Sequence, residues 1–132
     1  MTFTLFGTGI TQTNDLAMRI ELAPQQALHI WRKALTTSFR EDRPDLSARQ
    51  MAIMLDVYLT EAPHTVRGLA RRLNISKPAV VRALDVLGRA DFLKRRRDQE
   101  DRRNVLIQRT VSGSVYLREF ADHIIAAARN DD

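Results

Sequence analysis

A mainly helical α+β chain with one small hairpin, in the order helix, helix, helix, helix, strand, strand, helix, is the fold class this 132-residue sequence predicts. Three observations predict it. Apolar residues recur at spacings of three and four over five segments, the period of a helix laid against a core. Four of those segments open on Ser or Thr, the residues that cap helix starts. Two short apolar runs, Phe92-Leu93-Lys94-Arg95 and Asn104-Val105-Leu106-Ile107-Gln108, flank a charged tip and read as paired strands. Two short helices joined at a tight corner and followed by such a hairpin make a winged helix-turn-helix. At 44% hydrophobic, the chain can bury a real core.

Residues 1–23 are an N-terminal segment in which Ala17-Met18-Arg19-Ile20-Glu21-Leu22 alternates with period two, as a half-exposed strand or as an arm that orders on a partner. From Pro24 the period changes. Leu28, Trp31, Leu35 and Phe39 form one helical stripe over 24–39, with Pro24 in the first turn where its missing N–H costs nothing. The stripe reads as core packing and equally as a partner surface. Ser47 with Gln50 three residues on is a capping box, and Leu46 and Met51 are placed to staple it. That second helix runs through Met54, Leu55 and Tyr58 and stops near Glu61-Ala62-Pro63. Thr65 caps a third carrying Val66, Leu69, Ala70 and Leu73. After the Asn74-Ile75 corner, Ser76 caps a fourth, with Pro78 in its first turn and Val80, Leu84 and Leu87 along one side. Thr110 or Ser112 opens the last helix, 112–129, with Leu117, Phe120, Ala121, Ile124 and Ala128 on one face. Residues 24–132 thus form the winged domain with its two flanking helices, which serve core or dimer packing.

Charge narrows the function. Thirteen of the 21 Lys/Arg but only five of the 16 Asp/Glu lie between Thr65 and Thr110, so a chain of net charge +5 carries its basic excess on one segment. That is the footprint of a face that meets a polyanion. The absence of cysteine excludes disulfides, thiol nucleophiles and Cys-containing zinc sites. The three histidines, His29, His64 and His123, lack partners at ligand spacing, so neither a metal nor another cofactor is expected. No Gly-rich phosphate loop or His–carboxylate arrangement supports an enzyme. Nothing approaches the ~18 continuous apolar residues of a membrane span, and the start lacks a secretory pattern, so a cytoplasmic protein is expected. Aromatics make up 6% of the chain and none is interleaved with the arginines, which favours duplex DNA over single-strand RNA recognition.

From about Leu46 to Gly113 the sequence resembles the multiple antibiotic resistance regulator (MarR) family of winged-helix repressors. The resemblance rests on LSARQMAIMLDVY, TVRGLARRLNISKPAVVRALDVL and above all DQEDRRNVLIQRTVSG, which is similar to the family's wing: an Asp-x-Arg tip, a strand, a Thr and a Gly. It departs from the pattern at Asp91, where the family usually has Gly, at Gly68, where an acid is common, and at Arg109 in place of Leu. An arginine cannot be buried unpaired, so packing at Arg109 must differ. The family also continues beyond the helix in which this sequence ends, so an expected homodimer calls on residues 1–23 to cross to a second subunit.

The resemblance implies a sequence-specific regulator of double-stranded DNA. Arg103 would enter the minor groove, with Asp101 buttressing its guanidinium, a role that arginine's preference for narrow A·T grooves supports on its own. The ordinary alternative is a solvated surface pair. Arg102 and Arg95, Arg96 and Arg97 would contact phosphates. On the fourth helix, Ser76, Lys77, Ala79 and Arg82 are the candidates for base edges, with Arg82 forking onto guanine and Ala79 against a thymine methyl. Ser76 is also a helix cap. Val81 faces either the DNA or the core, and Arg71 and Arg72 either phosphate or solvent. A small aromatic or acidic ligand, as in the family, would lie around Trp31, Leu35, Met51, Tyr58 and Phe120, all of which packing explains equally well. The alternative from another class is a partner-dependent winged-helix module that binds DNA weakly alone.

Overall fold

A computed structural model describes residues 20–40 and 42–130. Its elements are α1 (Pro24–Ser38), α2 (Ala48–Leu59), α3 (Val66–Leu73), α4 (Lys77–Arg89), β1 (Leu93–Arg97), β2 (Val105–Arg109) and α5 (Val111–Ala128). They form two compact units, Leu46–Ser114 and the described residues on either side of it. Of the expected N-terminal strand, residues 17–19 lie outside the described residues, and residues 20–23 have neither helix nor strand.

In the unit Leu46–Ser114 the local signals fold as written. Ser47 Oγ accepts the Gln50 N–H at 3.1 Å while Gln50 Oε1 accepts the Ser47 N–H at 2.9 Å, closing the capping box of α2. Thr65 Oγ1 accepts the Gly68 N–H at 3.0 Å, and Ser76 Oγ the Ala79 N–H at 3.2 Å, at the starts of α3 and α4. Asn74 ends α3 in the left-handed region at φ 54°, and Asp91 does the same after α4 at φ 60°. Asp therefore supplies the conformation expected of Gly there, since a short polar side chain tolerates it. Ile53, Met54, Val57 and Tyr58 of α2 are buried with Leu69 of α3, with Val80, Leu84 and Leu87 of α4, and with Phe92, Leu93 and Ile107 of the hairpin.

The strands pair antiparallel from Leu93 opposite Arg109 to Arg97 opposite Val105. Arg95 lies in β1 as expected, and Arg96 and Arg97 lie there too and not in the charged tip, because the pairing runs two residues further than the predicted strand. The wing is also pinned from behind: Thr65 bridges Leu106, and the Ile107 N–H donates to the His64 carbonyl at 2.8 Å.

Two interactions fix the roots of the hairpin. The Tyr58 hydroxyl, wholly buried, donates to the Phe92 carbonyl at 2.7 Å and accepts the Thr110 N–H at 3.0 Å. Gly113 passes so close that a Cβ there would collide with the Tyr58 hydroxyl and the Phe92 carbonyl, which is why this position needs glycine. Arg109 is satisfied by the end of α2, donating to the carbonyls of Val57 and Thr60, each at 3.2 Å, with its guanidinium 5.9 Å from the Tyr58 ring centroid. The cation thus serves two last-turn carbonyls that have no intrahelical donor of their own.

In the other unit, Trp31 meets Phe120 edge to face at 6.0 Å between centroids, and Arg43 pairs with Glu119. Ala34 is buried, but Leu28, Trp31 and Phe39 are 68%, 47% and 60% exposed. The α1 stripe is therefore largely an uncovered surface. Thr110 caps α5, its Oγ1 accepting the Gly113 N–H at 2.9 Å. Among the described residues, no helix is long and apolar enough to cross a membrane.

Candidate nucleic-acid interface

The sequence-predicted residues of α4 divide by rotation about the helix. Lys77, Pro78, Val81 and Arg82 are exposed, whereas Ala79 is 5% exposed and turned inward beside Val80 and Ala83. Ala79 is thus withdrawn from the base-reading face on which the sequence reading placed it: the buried stripe of α4 is wider than Val80, Leu84 and Leu87 alone. Val81, left between DNA and core, faces out. Arg82 stands at the rim of a groove of about 760 Å³ that it shares with Ser47, Arg49, Leu73, Ile75 and Val86.

At the wing tip, Arg103 Nε and Nη2 donate to the two Asp101 carboxylate oxygens at 3.0 and 3.2 Å, and the Arg103 N–H donates to Asp101 Oδ1 at 3.2 Å. These bonds, side chain first and backbone second, hold the Asp101 carboxyl below its usual range, and the charge of Arg67 adds to the effect. The Arg103 side chain is nonetheless 90% exposed. Its fork is held in one orientation while remaining open to a partner, the arrangement that an arginine entering a groove requires. Arg97 donates to the Arg102 carbonyl and braces the tip from the strand. Arg95 pairs with Asp85 at 2.8 Å, joining β1 to α4. It is thereby engaged within the protein, unlike Arg96 and Arg102, whose exposed side chains have no acidic partner among the described residues.

Arg71 and Arg72, neighbours in sequence, part company. Arg72 binds Asp56 at 2.6 Å and reaches His64 Nδ1 at 3.0 Å. His64, 2% exposed, donates from Nε2 to the Thr60 carbonyl at 3.2 Å. Accepting at one nitrogen and donating at the other requires the neutral ring, and burial lowers its pKa, with the charges of Arg72 and Arg109 assisting and the bond to the Thr60 carbonyl and the charge of Asp56 opposing. Arg71 instead borders, with Arg67 and Lys77, a concavity of about 500 Å³ floored by Ala70 and Ile75. Cations one helical turn apart, as Arg67 and Arg71 are, repel one another. The residues that line the concavity include these three cations and no carboxylate.

Sequence reasoning missed Arg67, although its four-residue spacing from Arg71 on a predicted helix sets the two side by side; only the fold adds Lys77. The role of Arg109 was likewise visible only as a departure from a family pattern. The five residues expected around a small ligand fall in both units. Tyr58 is sealed in the core of Leu46–Ser114, the unit that also holds Met51, whereas Trp31, Leu35 and Phe120 belong to the other. The cavity beside Phe120, lined by Ser38, Arg43, Tyr116, Glu119 and His123, has only about 10 Å³, room for no more than about one water. Among the described residues no group of three or more His, Asp or Glu could hold a metal.

Residues 46–105 match the model of the MarR family. Over 52 residues the chain is 38% identical to the HTH-type transcriptional repressor YetL of Bacillus subtilis (strain 168), a match covering 39% of this chain and 31% of that protein. The chain thus spans about a third of the length of this curated relative. Among solved structures it is similar to the S. aureus MepR–DNA complex, with a TM-score of 0.61 at 20% identity over 81% of this chain and 79% of that one. It is also similar to reduced AbfR bound to DNA, with a TM-score of 0.59 at 21% identity over 77% and 70% of the two chains. At such identities the likeness to the solved structures is one of fold.

Proposed function

From the match of residues 46–105 to the MarR family model, we propose that this chain is a sequence-specific, double-stranded DNA-binding transcriptional regulator, acting in the cytoplasm and without catalytic chemistry. The observation that carries the reading is the Arg103–Asp101 fork, held rigid yet open at the tip of a wing whose roots are pinned to the same core as α4. In this reading α4 lies in the major groove with Lys77 and Arg82 toward the base edges. The wing follows into the adjacent minor groove behind Arg103. Arg67, Arg71, Arg96 and Arg102 meet phosphates, which give affinity and orientation without sequence information. That YetL is named a repressor, and that MepR and AbfR occur bound to DNA, support the same reading.

The reading includes a homodimer on a pseudo-palindrome with half-site centres ~34–36 Å apart. The uncovered Leu28, Trp31 and Phe39 on α1 support assembly, with a second copy as the partner. If another factor covers that stripe instead, the chain sediments as a monomer and binds DNA tightly only with that factor present.

The test is selection of duplexes from a random pool by the full chain, followed by binding measurements over a salt series. About six phosphate contacts lower affinity by roughly three powers of ten between 50 and 200 mM salt. Arg103→Ala loses affinity and loses A·T preference at positions flanking the half-sites. An affinity unchanged by salt, or an Arg103→Ala variant with unaltered flanking preference, refutes the reading.

A further inference from the structure

We propose that Val81 is the residue of α4 that reads a thymine, packing its methyl groups against the thymine C5-methyl in the major groove. The proposal rests on the reading of α4 as the groove-entering helix and gives that reading a specificity determinant. Ala79, Val80, Ala83, Leu84 and Leu87 are all 5% exposed or less. At about 100° per residue they fill one half of α4 and leave Lys77, Pro78, Val81, Arg82 and Asp85 on the other. Each member of that outer row but one has an evident occupation. Lys77 and Arg82 offer only hydrogen-bond donors. Asp85 holds Arg95 of the wing at 2.8 Å. Pro78 lies in the first turn, where its fixed φ helps start the helix. Val81, 39% exposed, has no such task. A β-branched residue forms helix less well than alanine, and one left 39% exposed recovers only part of that cost through burial.

The chemistry of the groove names its partner. The major-groove edges of the bases present hydrogen-bond donors and acceptors, and one apolar group, the thymine methyl. Valine pressed on an exocyclic amine or carbonyl would strip water from it and offer no hydrogen bond in exchange. Against thymine, both surfaces leave water. Val81 therefore selects thymine at one position of each half-site and disfavours cytosine there.

The experiment uses the full chain and its selected duplex. Each thymine is replaced in turn by deoxyuridine, which lacks only the C5-methyl, and affinity is measured for the wild type, Val81→Ala and Pro78→Ala. The wild type is expected to bind about fourfold more weakly when one particular thymine per half-site is replaced, the effect of exposing one methyl group. Val81→Ala, which keeps a good helix former at an exposed position and is checked by circular dichroism, is expected to bind both duplexes equally. The proposal is overturned if no thymine is sensitive, if Val81→Ala is as sensitive as the wild type, or if Pro78→Ala alone removes the sensitivity. A random pool that yields no enriched duplex would instead bring down the DNA-binding reading itself.

Discussion

Removing a single oxygen from Tyr58 tests how the wing is attached. Tyr58→Phe keeps the ring, the volume and the packing of α2, and deletes the hydroxyl that donates to the Phe92 carbonyl and accepts the Thr110 N–H. Phe92 precedes β1 and Thr110 follows β2, so one hydroxyl ties both roots of the hairpin to α2. The residue is wholly buried, and water cannot replace the lost oxygen without opening the site. Leaving a buried polar group without its partner costs about 1–3 kcal/mol. With two groups affected, the expected loss is about 2–6 kcal/mol. Urea unfolding reads this as a midpoint lowered by about 1–3 M at an unchanged slope. Hydrogen exchange gives the local counterpart: the Thr110 amide should lose more protection than the Gly68 amide, whose acceptor is Thr65 Oγ1. A stability loss under about 0.5 kcal/mol, or equal changes at the two amides, would refute the claim that this hydroxyl holds the wing.

Two further outcomes follow from neighbouring contacts. Arg109→Leu, which installs the residue usual in the resembled family, leaves the Val57 and Thr60 carbonyls without the guanidinium and is expected to cost about 1–3 kcal/mol by thermal or urea unfolding; a neutral or stabilising effect would show that the cation's bonds to α2 contribute nothing net. His64 makes stability depend on pH. Its folded pKa lies below the ordinary value of 6.5, so as pH falls through 6.5 the unfolded chain binds the proton first and the fold loses stability, by at most about 1.4 kcal/mol per pH unit, with no contribution to the slope well above 6.5. Unfolding at several pH values between 5 and 8 should give that slope in the wild type and a flatter one in His64→Gln. Equal slopes would place the titration elsewhere.

What could be read from the sequence alone was whatever is decided within three or four residues. Ser47, Thr65 and Ser76 bond to amides three positions on, so the starts of α2, α3 and α4 were legible as letters. Helical period marked α3 and α4, the wing motif marked Asp101 and Arg103, and the two-residue spacing of that pair is short enough to predict its contact. Longer-range choices were not legible. Whether Ala79 or Val81 faces out depends on how α4 is rotated against α2 and α3, and both are small apolar residues in an apolar run. Arg71 and Arg72 are the same letter twice; Asp56, sixteen residues away, takes one of them and leaves the other on the surface. Arg109 finds its acceptors about fifty residues back along the chain, at the end of a helix that must first be packed beside it. Local hydrogen bonding and side-chain period thus wrote the elements and the wing tip into the sequence. Tertiary packing chose which charges were neutralised within the protein and which were left facing outward, because a buried or half-buried cation takes the nearest acceptor that the fold supplies, whatever its place in the chain.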